Sequence, residues 1–128
     1  MAKEKFEREY IIKSSAKIIY NCISTPSGLS EWFSDDVNIR GDVYTFVWDN
    51  AEEQARMIGK KRDEYIKFRW LEDEEEDEKA YFELRIKIDP LTKEVAIIVT
   101  DYAEEDEIED QELLWDSQID ELKHILGS

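Results

Sequence analysis

The side chains that could carry out chemistry are few and lie far apart along the chain. The single cysteine, Cys22, and the single histidine, His124, lie towards opposite ends of the sequence. One of each is too few for a conventional zinc site, and their spacing does not indicate a nucleophile–base pair. Cys22 falls in an apolar helical stretch and is predicted to be a small core residue. His124 suits the last turn of a helix, where the helix dipole favours a cation.

Carboxylates are abundant, and a few of them are placed where general acid–base chemistry is conceivable. Asp35 and Asp36 follow a pair of aromatic residues, and Asp101 lies at the end of a predicted strand. A catalytic carboxyl is recognised by burial and a perturbed pKa, neither of which a sequence shows. With no glycine-rich phosphate loop either, we expect no catalytic residue, no cofactor and no bound metal. A binding protein is therefore favoured over an enzyme, and a cyclase or hydrolase stays the alternative that a buried acid–base pair would support.

The most acidic segment is a run of seven carboxylates at residues 72–78. It lacks the alternating Asp/Asn spacing and the turn glycine of an EF-hand calcium loop. It is predicted to be a solvated loop between two strands, with docking of a basic protein as the alternative. A second acidic cluster, at residues 104–112, is explained by the helix start that it occupies, where negative charge suits the dipole.

The overall charge excludes several classes of function. A formal net charge of −16 over 128 residues repels the phosphates of nucleic acids and of anionic membranes. No apolar stretch approaches the ~18 residues of a membrane span, and the N-terminus lacks the apolar region of a signal peptide. Together with the single cysteine, this predicts a cytoplasmic protein that does not insert into membranes. Self-repulsion favours a monomer or a weak dimer.

Hydrophobic periodicity predicts an α+β fold in a single domain, residues 1–128. A first strand at residues 6–12 precedes two short helices, for which Ser14 or Ser15 and then Thr25 are the candidate N-caps. Hairpin-linked strands follow, with the clearest alternation at residues 81–88, and a helix is predicted from Ile108 to Leu126. Asp106 and Glu109 resemble a capping box at its start. Six to seven strands make a curved antiparallel sheet, which only this long helix can cover.

Bulky apolar side chains on these elements are the candidate binding residues. They predict either an apolar cavity between the sheet and the last helix or a core filled at ordinary packing density. The candidate cavity residues are Trp32, Phe33, Phe46, Trp48, Met57, Phe68, Trp70, Phe82, Leu84, Trp115 and Ile119.

Two segments carry a resemblance to a known superfamily. STPSGLSEWF at residues 24–33 resembles a short-helix signature of proline, glycine, leucine and paired aromatics. LWDSQIDELK at residues 114–123 is similar to the C-terminal helix of the same group. The chain thus resembles the helix-grip superfamily, also called Bet v 1-like, START-like or SRPBCC, in its branch related to the heat-shock-protein ATPase activator. Its acidic middle resembles bacterial START-like proteins of uncharacterised function.

The resemblance implies a fold and a cavity but no single activity, because one fold hosts many functions. Its sheet would wrap around the long C-terminal helix, and the cavity between them would hold an apolar small molecule or lipid. The alternative is an acidic protein-interaction module, similar to a chaperone cofactor, with a filled core and a basic protein partner. The activator's additional partner-binding domain is not expected in a chain of this length.

Overall fold

The computed structural model describes residues 3–49, 51–76 and 79–127. In this part of the chain seven strands form one antiparallel sheet, in the order β1-β7-β6-β5-β4-β3-β2. The strands are β1 Glu4–Ile12, β2 Asp36–Arg40, β3 Val43–Trp48, β4 Ala51–Lys61, β5 Tyr65–Trp70, β6 Phe82–Ile88 and β7 Val95–Ala103. The helices are α1 Ala16–Ser24, α2 Pro26–Trp32, α3 Leu71–Glu76 and α4 Ile108–Leu126, with a 3₁₀ turn at Glu105–Glu107 before α4. The predicted α+β fold, with its long last helix and two short helices after the first strand, is confirmed.

The two short helices are joined by a rigid corner at Thr25. The Thr25 hydroxyl accepts a hydrogen bond from the Gly28 amide at 2.9 Å, and it donates to the Asn21 carbonyl oxygen at 2.8 Å. A Cβ at position 28 would lie 2.7 Å from the Cys22 Cα, so only glycine allows this approach of α2 to α1. The Trp32 indole then donates to the Cys22 carbonyl oxygen at 2.9 Å. These contacts fix the end of α2, where Phe33 begins the return to the sheet.

Alternate residues of the strands face the core and pack against α4. Phe46 of β3, Phe68 of β5 and Leu84 of β6 are fully buried in this layer. Helix α4 contributes a buried stripe of Trp115, Ile119 and Leu122, which belongs to the apolar stripe predicted for this helix. Complete burial of such large side chains indicates a filled core in the middle of the sheet.

A polar cluster holds α4 against the edge strand β1. The carboxylate of Asp116 accepts two hydrogen bonds from the Arg8 guanidinium, each 2.9 Å, and one from the Tyr10 hydroxyl at 2.6 Å. Burial and this hydrogen bond raise the pKa of Tyr10 to about 12. The donors in turn lower the pKa of Asp116, which therefore stays charged. The cluster therefore ties α4 to the edge strand.

Two predictions about the acidic segments are wrong. The residue before α4 is Glu107 and it makes no side-chain cap, so Asp106 and Glu109 do not form a capping box. The chain instead enters α4 through a 3₁₀ turn, in which the Glu107 amide donates to the Glu104 carbonyl oxygen at 2.8 Å. Of the acidic run at residues 72–78, the first five belong to α3, not to a solvated loop, and Asp73 is buried. Residues 77 and 78 lie outside the described residues.

Both ends of α4 agree with the predicted bounds, and Gly127 ends the helix in the left-handed conformation with a φ of 72°. Among the described residues, no helix is both long enough and apolar enough to cross a membrane.

Candidate functional site

A cleft of about 660 Å³, open to solvent, lies between one end of the sheet and the first half of α4. Strands β3, β5 and β7 all run in the same direction, since each is separated from the next by one antiparallel strand. Their C-terminal ends therefore meet at this end of the sheet, beside α3. The volume lies within the range of small-molecule sites.

Six aromatic residues are among those that line the cleft, and five of them form one wall: Phe33, Trp48, Trp70, Phe82 and Trp115, with Tyr102 as the sixth. The Phe33 ring is the centre of this aromatic wall, with ring centroids 5.4 Å from Trp48 and 5.7 Å from Trp115. The Phe33 carbonyl oxygen accepts hydrogen bonds from the Trp48 indole at 2.8 Å and from the side-chain amide of Gln118 at 3.2 Å. The wall is thus fixed by contacts from α2, β3 and α4 together, so it is formed before any ligand arrives.

The aromatic wall ends at a polar group of Lys3, Asp73 and Asp101. The Lys3 ammonium lies 2.9 Å from a carboxylate oxygen of Asp73, which is 3% exposed. Asp101 accepts a hydrogen bond from the Trp115 indole at 2.8 Å and one from the Tyr102 amide at 2.7 Å. Burial raises the pKa of Asp101 to about 6, although both hydrogen bonds act to lower it. Burial also lowers the pKa of Lys3, but the hydrogen bond and charge of Asp73 outweigh it, and the net shift is upward.

Asp101 occupies a position where the strand pattern requires an apolar side chain. Residues Ile97, Val99, Asp101 and Ala103 alternate along β7 and so face the same side of the sheet. The other three are buried, whereas Asp101 is partly buried beside the cleft. A carboxylate in an apolar stripe is the signal in the sequence that points to this end of the sheet.

The candidate cavity residues divide between the cleft and the core. Five of the eleven line the cleft and form its aromatic wall. The other six are not among the described lining residues: Trp32, Phe46, Met57, Phe68, Leu84 and Ile119. Trp32 packs under α1, Met57 is half-buried on β4, and the remaining four are fully buried. Sequence analysis missed Lys3 and Asp73, whose contact joins residues far apart in the chain, and it named Asp101 only as a carboxylate at a strand end.

The other groups considered for chemistry lie outside the cleft. Cys22 is buried, and burial raises the pKa of its thiol. His124 is exposed in the last turn of α4. The Asp35 carboxylate accepts a hydrogen bond from the backbone amide of Asp49 at 2.7 Å, which stabilises the loop.

Three carboxylates at the start of α4 come within 4.8 Å of one another, at Glu104, Asp106 and Glu107. They are exposed or only partly buried, and such groups commonly occur on acidic surfaces without an ion.

The whole chain, residues 1–128, matches a family model described as a START-like superfamily domain. The chain belongs to the START-like superfamily. Comparison with curated proteins gave no match.

Solved structures agree with this START-like assignment. The solution structure of BfR322 from Bacteroides fragilis is 37% identical, with a TM-score of 0.68, and the match covers 98% of this chain and 93% of that one. The Aha1 dimer from Colwellia psychrerythraea shares the fold at 15% identity, with a TM-score of 0.79 and coverage of 94% and 93%. DynU16, from the dynemicin biosynthetic locus, has a TM-score of 0.77 at 9% identity, and the match covers 97% of this chain and 47% of that one.

Proposed function

We propose that this START-like domain binds an apolar small molecule or lipid in the cleft between the sheet and α4. The observation that carries the proposal is the aromatic wall, whose five rings line an open space of about 660 Å³. START-like proteins commonly bind hydrophobic ligands, which agrees with this use of the cleft. A space of this size accommodates a drug-sized molecule.

The geometry favours a ligand held between the rings and the first half of α4. Trp48 and Trp70 are only partly buried, so their rings retain surface for a ligand to cover. Leu114 of α4 also lines the cleft and is 50% exposed. Covering these apolar groups would stabilise the complex by roughly 25 cal/mol for each Å² removed from water.

Leu114 and Leu113 give a matched pair of variants for testing this binding mode. Both are exposed on α4, but Leu113 is not among the described residues that line the cleft. The neutral fluorescent probe N-phenyl-1-naphthylamine is expected to bind and brighten in the cleft. Leu114→Gln should weaken its binding about three- to tenfold, since roughly 1 kcal/mol of apolar contact is lost. A fluorescence titration measures the dissociation constant.

Leu113→Gln is the control and should bind the probe as the unchanged protein does. Equal weakening by both substitutions would place the probe on the outer surface of α4 and would count against the cleft. Failure of the probe to bind at all would favour the alternative function, an acidic surface that docks a basic protein.

A further inference from the structure

Resting on the proposed function, we infer that the ligand of this cleft is an amphipathic organic cation: an amine or quaternary ammonium attached to an apolar body. The apolar body would lie on the aromatic wall, and the positive group would lie at Asp101. Fatty acids and other anions with an apolar body do not belong to this class of ligand.

The first argument is the charge of the cleft. One basic residue, Lys3, is found among the described lining residues, and it is paired with the buried Asp73. The described acidic residues that line the cleft are Glu53, Glu72, Asp73, Glu76, Asp101, Glu104 and Glu107. With Lys3 compensating one of these seven, the cleft carries a large excess of negative charge, which attracts cations and repels anions. A headgroup with a phosphate beside its ammonium would bring that phosphate against the same carboxylates.

The second argument is the environment of Asp101. The hydrogen-bond donors that the structure gives it, the Trp115 indole and the Tyr102 amide, are both neutral. The charged groups that affect it most are Lys3, which is already paired, and Asp73, which repels it. Burial of this carboxylate is therefore incompletely compensated. An ammonium group placed beside it would supply the missing charge, and charge pairs are stronger where water is largely excluded.

The third argument is that the carboxylate and the aromatic rings meet at one residue. Trp115 donates its indole N–H to Asp101, and its ring is also part of the aromatic wall. Since the N–H that reaches Asp101 lies at the edge of the Trp115 ring, an ammonium group beside Asp101 has the aromatic wall within reach of an attached apolar body. An apolar body joined to an ammonium group matches both features at once, which neither a neutral nor an anionic ligand does.

Three probes with the same anthracene body separate charge from apolar contact: 9-(aminomethyl)anthracene, 9-anthracenemethanol and 9-anthracenecarboxylic acid. Binding to the full chain is measured by fluorescence titration at pH 7.5. The amine is expected to bind at least about tenfold more tightly than the alcohol, and the acid most weakly. Asp101→Asn should remove most of the preference for the amine and change the affinity for the alcohol less than about twofold. Glu105→Gln, with the same charge change outside the described cleft lining, should keep the preference.

The outcomes separate this inference from the proposed function. Equal binding of the amine and the alcohol would overturn the cationic ligand while still supporting an apolar cleft. The cationic ligand would also be overturned if the acid bound most tightly, or if Asp101→Asn kept the preference for the amine. If none of the probes binds up to its solubility limit, both the inference and the proposed function fail.

Discussion

Replacing Phe33 by alanine is expected to lower the free energy of unfolding by about 3–5 kcal/mol, the usual cost of removing a large buried aromatic side chain. Phe33 is 4% exposed, and the cavity left by its ring could not be filled without moving α2 or α4. Its neighbouring aromatic rings, with centroids within 5.9 Å, are Trp32, Phe46, Trp48, Phe82 and Trp115. Urea denaturation followed by tryptophan fluorescence measures the loss.

Leu91→Ala is the control for this measurement, because Leu91 is 91% exposed. Its effect should stay within about 0.5 kcal/mol. A loss below about 1 kcal/mol for Phe33→Ala would mean that the aromatic wall is loosely packed and is not fixed before a ligand binds.

Asp101→Asn is expected to stabilise the protein relative to the unchanged chain as the pH rises from 4 to 7.5. The folded-state pKa of Asp101, about 6, lies above its ordinary value of 3.8 because of burial. The folded protein therefore binds this proton more tightly than the unfolded chain. The resulting stability is fully present below about pH 4 and is lost as the pH rises through about 6. By this linkage the gain of the variant over the unchanged chain should grow by roughly 2–3 kcal/mol across that range.

The pH dependence is the informative quantity, because the Trp115 and Tyr102 hydrogen bonds go to different oxygens of the Asp101 carboxylate. Asparagine replaces one of these oxygens by an NH₂ group, which donates, so one of the two hydrogen bonds is lost. Losing this hydrogen bond lowers the stability of the variant by the same amount at every pH. It therefore shifts the curve of stability against pH without changing its slope. Urea denaturation at several pH values gives the difference, with Glu105→Gln as the exposed-carboxylate control. If the stability difference between the variant and the unchanged chain does not depend on pH, burial does not raise the pKa of Asp101.

The elements that the sequence predicts best are those whose burial has a regular period. Alternation in β6 and the apolar stripe of α4 arise directly from one face being buried, so both were located from residue types alone. The start of α4 at Ile108 was predicted correctly but its capping box was not, because the chain enters the helix through a 3₁₀ turn set by backbone hydrogen bonds. The acidic run was mispredicted for a different reason. Asp73 is buried against Lys3, a contact across 70 residues that leaves no local pattern.

The site is less predictable than the fold, because periodicity tells which face a residue is on but not how far along the sheet the covering helix extends. Phe46 and Trp48 face the same side of β3, as do Phe68 and Trp70 of β5. In each pair the first residue lies in the filled core, and the second, nearer the end of the strand, lines the cleft. The difference depends on where α4 crosses the sheet, and there Asp116 of α4 is hydrogen-bonded to Arg8 and Tyr10 of β1.

The central claim, that a small molecule occupies the cleft, is tested most directly by the indole N–H signals of the four tryptophans in a ¹H–¹⁵N correlation spectrum. Trp48, Trp70 and Trp115 line the cleft, whereas the Trp32 indole is bonded to the Cys22 carbonyl oxygen beneath α1. On titration with N-phenyl-1-naphthylamine, the three cleft signals should shift along one saturable curve while that of Trp32 stays in place. No shift of the cleft signals, or an equal shift of Trp32, would contradict binding in this cleft.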